Sequence, residues 1–261
     1  MKPEERRERM ALLVKEATRI SVDELAALLE TSRETVRRDL TLLSEQGLLR
    51  KVHGGAVYTQ TAQESPLGDR RAAARAEKIA IGRTAAGLFR QGDSLLIDAG
   101  STTAYFAEAL KNSGSFTVIT NSTVVAAEMW SSPSPSEVYL LGGRYFGGGH
   151  EVLGSLVVDQ IQRLHTDHAV LTVGAVDQGG TFMDFNADEA FIARAMIASA
   201  RRVTVLADSS KLGRHALFQV CKADRVHRLV TERAPDDAVE NALRAAGVEI
   251  IIADPAQSTI R

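Results

Sequence analysis

Apolar residues in the first fifty positions fall into three short runs at helical spacing, each with one buried stripe. The first run predicts a helix over about 3–17, with Met10, Leu12, Leu13 and Val14 near its end. The second starts at Ser21, a good N-cap with Glu24 at the capping-box distance, and continues through Leu25, Ala26, Leu28 and Leu29. The third starts at Thr31 or Ser32, with Glu34 placed as the reciprocal partner of Thr31. Val36, Leu40, Leu42 and Leu43 give it an apolar stripe, and Gly47 is placed to end it. Residues 48–57 then read as a two-stranded ribbon turning at Gly54-Gly55.

After a polar stretch over 58–75, read as a linker, the period changes. Strand-length apolar runs occur at 95–97, 116–119, 138–141, 169–173, 203–206, 229–230 and 248–252. Helical patterns lie between most of them, at 77–89, 104–110, 124–130, 155–163, 188–200 and 236–246. This alternation predicts a largely parallel sheet covered by helices. The expected fold class is α/β: a small winged helix-turn-helix domain over 1–57, the linker over 58–75, and a larger parallel α/β domain over 76–261.

Composition narrows the setting. Hydrophobic residues make up 44% of the 261 and charged residues 25%, which argues against a disordered chain. The single cysteine, Cys221, excludes an intramolecular disulfide framework and fits a reducing compartment. No apolar run has the length of a membrane span, and the opening MKPEERRERM lacks the apolar stretch of a signal peptide, so a cytoplasmic protein is expected. The net charge of −2 advertises no nucleic-acid partner by itself. The first sixty residues carry eleven Lys/Arg against ten Asp/Glu, so the basic groups matter only if folding gathers them on one face.

The third helix offers that gathering. Its first turn presents Ser32, Arg33 and Thr35, the end that a recognition helix shows to base edges. Arg37 and Arg38 follow on the next turn, where phosphate contact is expected. The ribbon adds Arg50, Lys51 and His53, a basic wing for a phosphate or the minor groove. Alone, each of these features reads as an ordinary solvated surface; together they point to double-stranded DNA.

The stretch ISVDELAALLETSRETVRRDLTLLSEQGLLRKVHGGAV resembles the N-terminal signature of DeoR-type regulators. The resemblance rests on Ser32, the run Thr35 to Leu40, Leu43, Gln46-Gly47, Leu49 and the run His53 to Ala56. It implies that Arg37 and Arg38 lie near DNA, and that Asp39 orients a neighbouring arginine.

In the larger domain five strand ends run into polar or glycine-bearing loops, where ligands of open α/β sheets sit. They are 98–103, 120–121, 142–143, Gly174 and 208–211. In the first, Asp98 and Gly100 precede the hydroxyls of Ser101, Thr102 and Thr103, which open a helix whose N–H groups can cradle an anion. Lys211 can add positive charge. The order of these loops resembles the effector domain of DeoR-type regulators, which share their fold with ribose-5-phosphate isomerase. That resemblance implies a phosphate cradle at Gly100, Ser101, Thr102 and Thr103, with Thr120, Asn121, Gly142, Gly143, Gly174 and Lys211 completing the wall. The effector it implies is a small phosphorylated sugar or sugar acid. Residues 181–186 fall at the discriminating end. Asn186 and Glu189 either face the sugar or simply start a helix in water; Arg70 either contacts ligand or pins the linker.

A working sugar-phosphate isomerase with an accessory DNA-binding domain is the alternative. Proton abstraction beside a carbonyl needs a placed general base. Where the isomerases carry paired aspartates around a glycine, this chain has Val173-Gly174-Ala175-Val176. Binding without turnover, and so no catalytic residues, is the expectation. The six histidines show no ligand spacing, so neither a metal nor a cofactor is expected. The composite reading is a repressor of a carbohydrate catabolic operon. It would act as a dimer or tetramer, bind operator DNA and answer to the effector.

Overall fold

The computed structural model describes residues 3–17, 19–45, 49–52, 54–57 and 66–254. It divides into two compact units, 1–65 and 66–261, each with its own core.

The first unit contains α1 (Pro3–Ala17), β1 (Arg19–Ser21), α2 (Val22–Leu28), α3 (Arg33–Glu45), β2 (Arg50–Val52) and β3 (Gly55–Val57). The capping box at Ser21 and Glu24 is formed in full. The box expected at Thr31 and Glu34 is not. Ser32 Oγ accepts the Thr35 N–H at 3.1 Å instead, and Glu34 turns outward to Arg37 at 3.6 Å. The reason is register: α3 starts at Arg33, which puts Ser32 at the cap and Thr35 at the third helical position. The ribbon also has a third strand that the apolar pattern missed. β1 pairs antiparallel with β3, which pairs with β2. Three residues are too few to display a period. Gly55 permits the pairing: a Cβ there would lie 2.3 Å from the Ile20 carbonyl oxygen. Met10, Val14, Leu25, Leu29, Val36, Leu40 and Leu43 close the core. Asp39 is buried, and its carboxylate accepts from Arg6 Nε at 2.7 Å. This pair fastens α1 to α3.

The second unit begins with α4 (Leu67–Ala72) and α5 (Arg75–Ala86). Part of the stretch expected as linker, 67–72, is therefore helical, with Leu67 buried; six residues with one apolar anchor leave no periodic signal. Its first part, 58–65, lies outside the described residues. There follow β4 (Ser94–Ile97), α6 (Ser101–Leu110), β5 (Thr117–Thr120), α7 (Thr123–Trp130), β6 (Glu137–Leu140), β7 (Arg144–Phe146), β8 (Glu151–Leu153) and α8 (Ser155–Ile161). The chain continues through β9 (Thr166–Leu171), β10 (Ala175–Val176), β11 (Phe182–Asp184), α9 (Ala187–Ser199), β12 (Ala200–Leu206), β13 (Phe218–Cys221), β14 (Arg228–Thr231), α10 (Asp237–Ala245) and β15 (Glu249–Ile252).

Seven strands form one parallel sheet in the order β15-β14-β12-β9-β4-β5-β6. These are the seven apolar runs read from the sequence. Successive residues face opposite sides: Leu95 and Ile97 pack with α5, α6 and α7, while Leu96 packs with α8, α9 and α10. The chain winds outward from β4 to β6 with helices on one face. It then returns to β9, beside β4, and winds the other way with helices on the opposite face, as right-handed crossovers require. β4 and β9 thus flank a topological switch point. Two smaller sheets, β10-β11-β13 and the ribbon β7-β8, lie outside the parallel sheet.

Replacing Asp39 with alanine removes a charge-assisted hydrogen bond and strands Arg6. We expect the smaller unit's unfolding transition to lose roughly 1.5–3 kcal/mol, with the larger unit's transition unmoved, read by calorimetry of the full chain.

Candidate functional site

On the first unit the expected DNA contacts that are described are exposed or hold weak partners. Arg33 pairs with Asp23 at 2.7 Å, both side chains about two-thirds exposed. Arg37 pairs with Glu34, and Arg38 is exposed. Exposed pairs of this kind contribute little and yield readily to phosphate. Ser32 and Thr35 hold each other through their hydroxyls at 2.9 Å. Lys51, on β2, donates to Thr41 Oγ1 at 3.0 Å, and Thr41 donates to the Arg37 carbonyl at 2.8 Å. The wing is therefore bound to the recognition helix beside its arginines. His53, with Gln46 and Gly47, lies outside the described residues. Asp39 faces inward to Arg6, with Arg7 4.0 Å away.

On the second unit the site forms at the switch point. Gly100 follows β4, and a Cβ there would lie 2.3 Å from Thr172 Cγ2 at the end of β9. The bare glycine is what lets the two strand ends approach. α6 begins immediately after it with no side chain capping its N-terminus. The first-turn N–H groups therefore remain as donors at the positive end of the helix dipole. Ser101, Thr102 and Thr103 are all buried. Thr103 donates its hydroxyl to the Gly100 carbonyl at 3.2 Å, so it shapes the turn.

Thr120 and Asn121 serve as struts. Thr120 Oγ1 accepts the Ser122 N–H at 3.0 Å. Asn121 accepts the Ala99 N–H at 3.1 Å and donates to the Val152 carbonyl at 3.4 Å, joining the β4 and β5 loops to the β7–β8 ribbon. Gly174 donates its N–H to Met183, and the Phe185 ring occupies the space of its absent Cβ. Gly142 and Gly143 sit differently. They follow β6, two strands from β4. Gln160 takes both the N–H and the carbonyl of Gly142, and Val152, Leu153 and Val157 crowd Gly143. Their glycine character is explained by packing against α8 and the ribbon.

Of the residues that dominate the electrostatics, only Glu151 came from outside the sequence reading. Asp98, Glu151, Asp184 and Glu189 lie within electrostatic reach of one another, beside Arg70 and Lys211. Burial, then Glu151 and Asp184, push the Asp98 carboxyl well above its usual range. Burial raises Glu151 to about 7, with Arg70 opposing and Asp184 adding to the rise. Burial raises Asp184 against two N–H groups, Phe185 at 2.6 Å and Asn186 at 3.3 Å, that hold its charge. Glu189 rises to about 9 through burial and the other three carboxyls. It is half-buried among acids, not a helix-start carboxylate in open water. Asn186 is the helix-start residue: its side chain accepts the Asp188 N–H at 2.8 Å.

The cations are built in. Burial lowers Lys211, which neighbours Asp208 and Asp184. Arg70, on α4, acts on Glu151, Asp184, Glu189 and Lys211. It is held there by Lys78, whose Nζ donates to the Arg70 carbonyl at 2.6 Å and the Ala73 carbonyl at 2.9 Å, with Asp208 3.9 Å away. Lys78 is buried on the apolar face of α5, beside Ala80 and Ile81; a lysine in that stripe is the one local sign of this staple. No group of three His, Cys, Asp or Glu among the described residues is arranged to hold a metal ion. No helix there is long and apolar enough to cross a membrane.

A winged helix-turn-helix unit and a doubly wound α/β unit with a polar crevice at its switch point define a DNA-binding regulator with a sensor domain. Residues 6–62 match the DeoR-like helix-turn-helix domain, and residues 73–233 match the DeoR C terminal sensor domain. The chain belongs to the DeoR family. It is 32% identical to the HTH-type transcriptional repressor CsqR of Escherichia coli strain K12, over 95% of this chain and 94% of that one. It is 33% identical to the HTH-type transcriptional repressor GlcR of Bacillus subtilis strain 168, over 97% and 98%. It is 30% identical to the glycerol-3-phosphate regulon repressor of E. coli K12, over 93% and 96%. Among solved structures, ribose 5-phosphate isomerase A of Methanocaldococcus jannaschii is similar at a TM-score of 0.40 and 17% identity, over 54% of this chain and 55% of that one. The eIF2B beta subunit of Chaetomium thermophilum is similar at 0.48 and 15%, over 87% and 62%.

A carboxyl whose folded pKa is raised keeps its proton after the unfolded chain has lost it. Between the ordinary 4.5 and about 9 the folded state therefore binds more protons, and stability falls as pH rises. We expect the larger unit's melting temperature to drop from pH 6 to pH 9, and Glu189→Gln to shrink that drop. Parallel pH profiles for the two proteins would show Glu189 to be ordinary.

Proposed function

We propose that this chain represses a carbohydrate catabolic operon and that a small phosphorylated sugar, bound at the β4–β9 switch point, controls its grip on operator DNA. The observation that carries the reading is the pairing of an uncapped helix N-terminus at Gly100–Thr103 with Arg70 and Lys211 across a crevice otherwise lined by carboxyls. Backbone N–H groups and cations suit the phosphoryl group. Asp98, Glu151, Asp184 and Glu189 suit hydroxyl donors, and their mutual repulsion opposes a second anionic group on the ligand. Between the sugar and sugar-acid readings, this favours the neutral sugar chain. The relatives named above as repressors support the output.

Against catalysis, the loop that carries the base in the isomerases holds no carboxyl here. The position after β9 that would carry it is Gly174-Ala175-Val176, packed under Phe185. Glu189, raised to about 9, holds its proton at neutral pH and serves as a hydrogen-bond donor. Ligand binding couples to DNA affinity by linkage, at roughly 1–3 kcal/mol between the two sites. A homo-oligomer presents two or more recognition helices to operator half-sites.

Thermal-shift screening of sugar phosphates against the corresponding phosphorylated sugar acids tests the ligand class. We expect a neutral-chain sugar phosphate to raise the larger unit's melting temperature and release operator DNA, with no isomerised product in the same tube. A shift only with sugar acids would reverse the ligand assignment, and turnover would restore the enzyme reading. Arg37→Ala should weaken operator binding about tenfold or more, by the value of a lost charge-assisted contact, and leave the thermal shift intact. Lys211→Ala should do the opposite, keeping operator binding and blunting release.

A further inference from the structure

The outermost strand on one side of the parallel sheet, β6, is open. Among the described residues it pairs with β5 alone. Glu137 and Leu141 donate their N–H groups to Phe116 and Thr120. By the two-residue alternation of a strand, the N–H and carbonyl groups of Val138 and Leu140 therefore point away from the sheet. No proline, lysine or bulge guards the strand, the devices by which edges are usually kept from pairing. Large side chains stand exposed along the same margin: Trp130 80%, Tyr139 50%, Leu140 49%, Tyr145 55% and Phe146 43%. α7 packs along β6 and ends at Trp130, and β7, bearing Tyr145 and Phe146, begins after only three residues.

We propose that β6 is the self-association edge, pairing antiparallel with β6 of a second copy about a two-fold axis at Tyr139. This rests on the homo-oligomer reading above and assigns the surface that makes it. Three observations select that occupant and register. First, the outward groups allow it: Val138 exchanges two backbone hydrogen bonds with Leu140 of the partner subunit, and the two-fold repeats them. Second, the only charge in the strand is Glu137. Centring on Tyr139 sets the two Glu137 side chains four residues apart along the ladder, about 14 Å, where a parallel pairing would stack them. Third, the exposed apolar area is of the right order. The five exposed side chains present roughly 500–600 Å² of mostly apolar surface, the larger part of the ~800 Å² per partner that stable interfaces bury. The axis makes the interface closed and isologous, and Tyr139 meets Tyr139 of the partner subunit across a close, non-hydrogen-bonded pair.

Cysteine cross-linking of the full chain tests this. The native Cys221 is buried, with its thiol pushed up to about 12, and does not compete. Under mild oxidation Tyr139→Cys should run at doubled mass on a non-reducing gel, because a non-hydrogen-bonded antiparallel pair holds its Cα atoms within disulfide range. Glu137→Cys should stay at single mass. Sedimentation supplies the second reading: Tyr139→Glu with Leu140→Lys should halve the native mass without changing the circular dichroism. A native oligomer that neither cross-links through Tyr139→Cys nor dissociates in the double variant overturns this surface while leaving the oligomer standing. A native chain that sediments as a monomer overturns both.

Discussion

β4 and β9 lie side by side at the centre of the larger sheet, yet the chain leaves them for opposite faces, and the crevice opened by that divergence organises the ligand end of the unit. It stays narrow because Gly100 has no side chain where Thr172 packs. A larger residue would separate the strand ends and move the start of α6 away from them. Asn121 then bonds the β4 loop to the ribbon, and the ribbon brings Glu151 to the crevice from beyond the far edge of the sheet. α4 closes another side and is itself fixed by the buried Lys78. The positions of Arg70, Glu151 and Asp98 all follow from how these two strands part.

The crevice concentrates unlike charges without neutralising them. Four carboxyls are packed where water cannot stabilise all of them as anions, so some of their protons are retained at neutral pH. That state has two kinds of use at once: protonated carboxyls donate hydrogen bonds, and ionised ones accept them. A sugar chain, whose hydroxyls do both, is matched by such a wall. The folded unit holds this arrangement at a cost in stability, which the large apolar cores on both faces of the sheet offset.

In the smaller unit the buried Asp39–Arg6 pair plays the organising part. Asp39 directly follows Arg37 and Arg38 in the signature run and faces inward, while those two arginines are left to the surface. Lys51, tied to Thr41, couples the wing to the recognition helix by side-chain hydrogen bonds, which a DNA backbone can exchange for its own.

Much of the fold was legible because long apolar segments report their own burial. The inner strands of the parallel sheet are covered on both faces and so read as continuous apolar runs, the edge strands β6 and β15 keep apolar runs while partly exposed, and the helices between the strands carry stripes. The short elements were not legible: β1, β7, β8, β10, β11, β13 and α4 have two to six residues, too few for a period, and their pairing is decided by what lies opposite. Of the candidate site, the glycine-and-hydroxyl loop at 98–103 could be read locally, since an anion cradle is built from consecutive residues. Glu151 could not, because it is unremarkable in its own segment and gains its role only when distant strand ends converge, and the stretch 181–186 did not say that Asp184 would be the buried carboxyl among its residues. The sequence by itself determined the helix-turn-helix and parallel α/β classes and named the residues proposed for DNA, all from local pattern. Only the tertiary structure decided which carboxyls share the crevice, which glycines serve packing, and which strand edge is left open, because each depends on neighbours far along the chain.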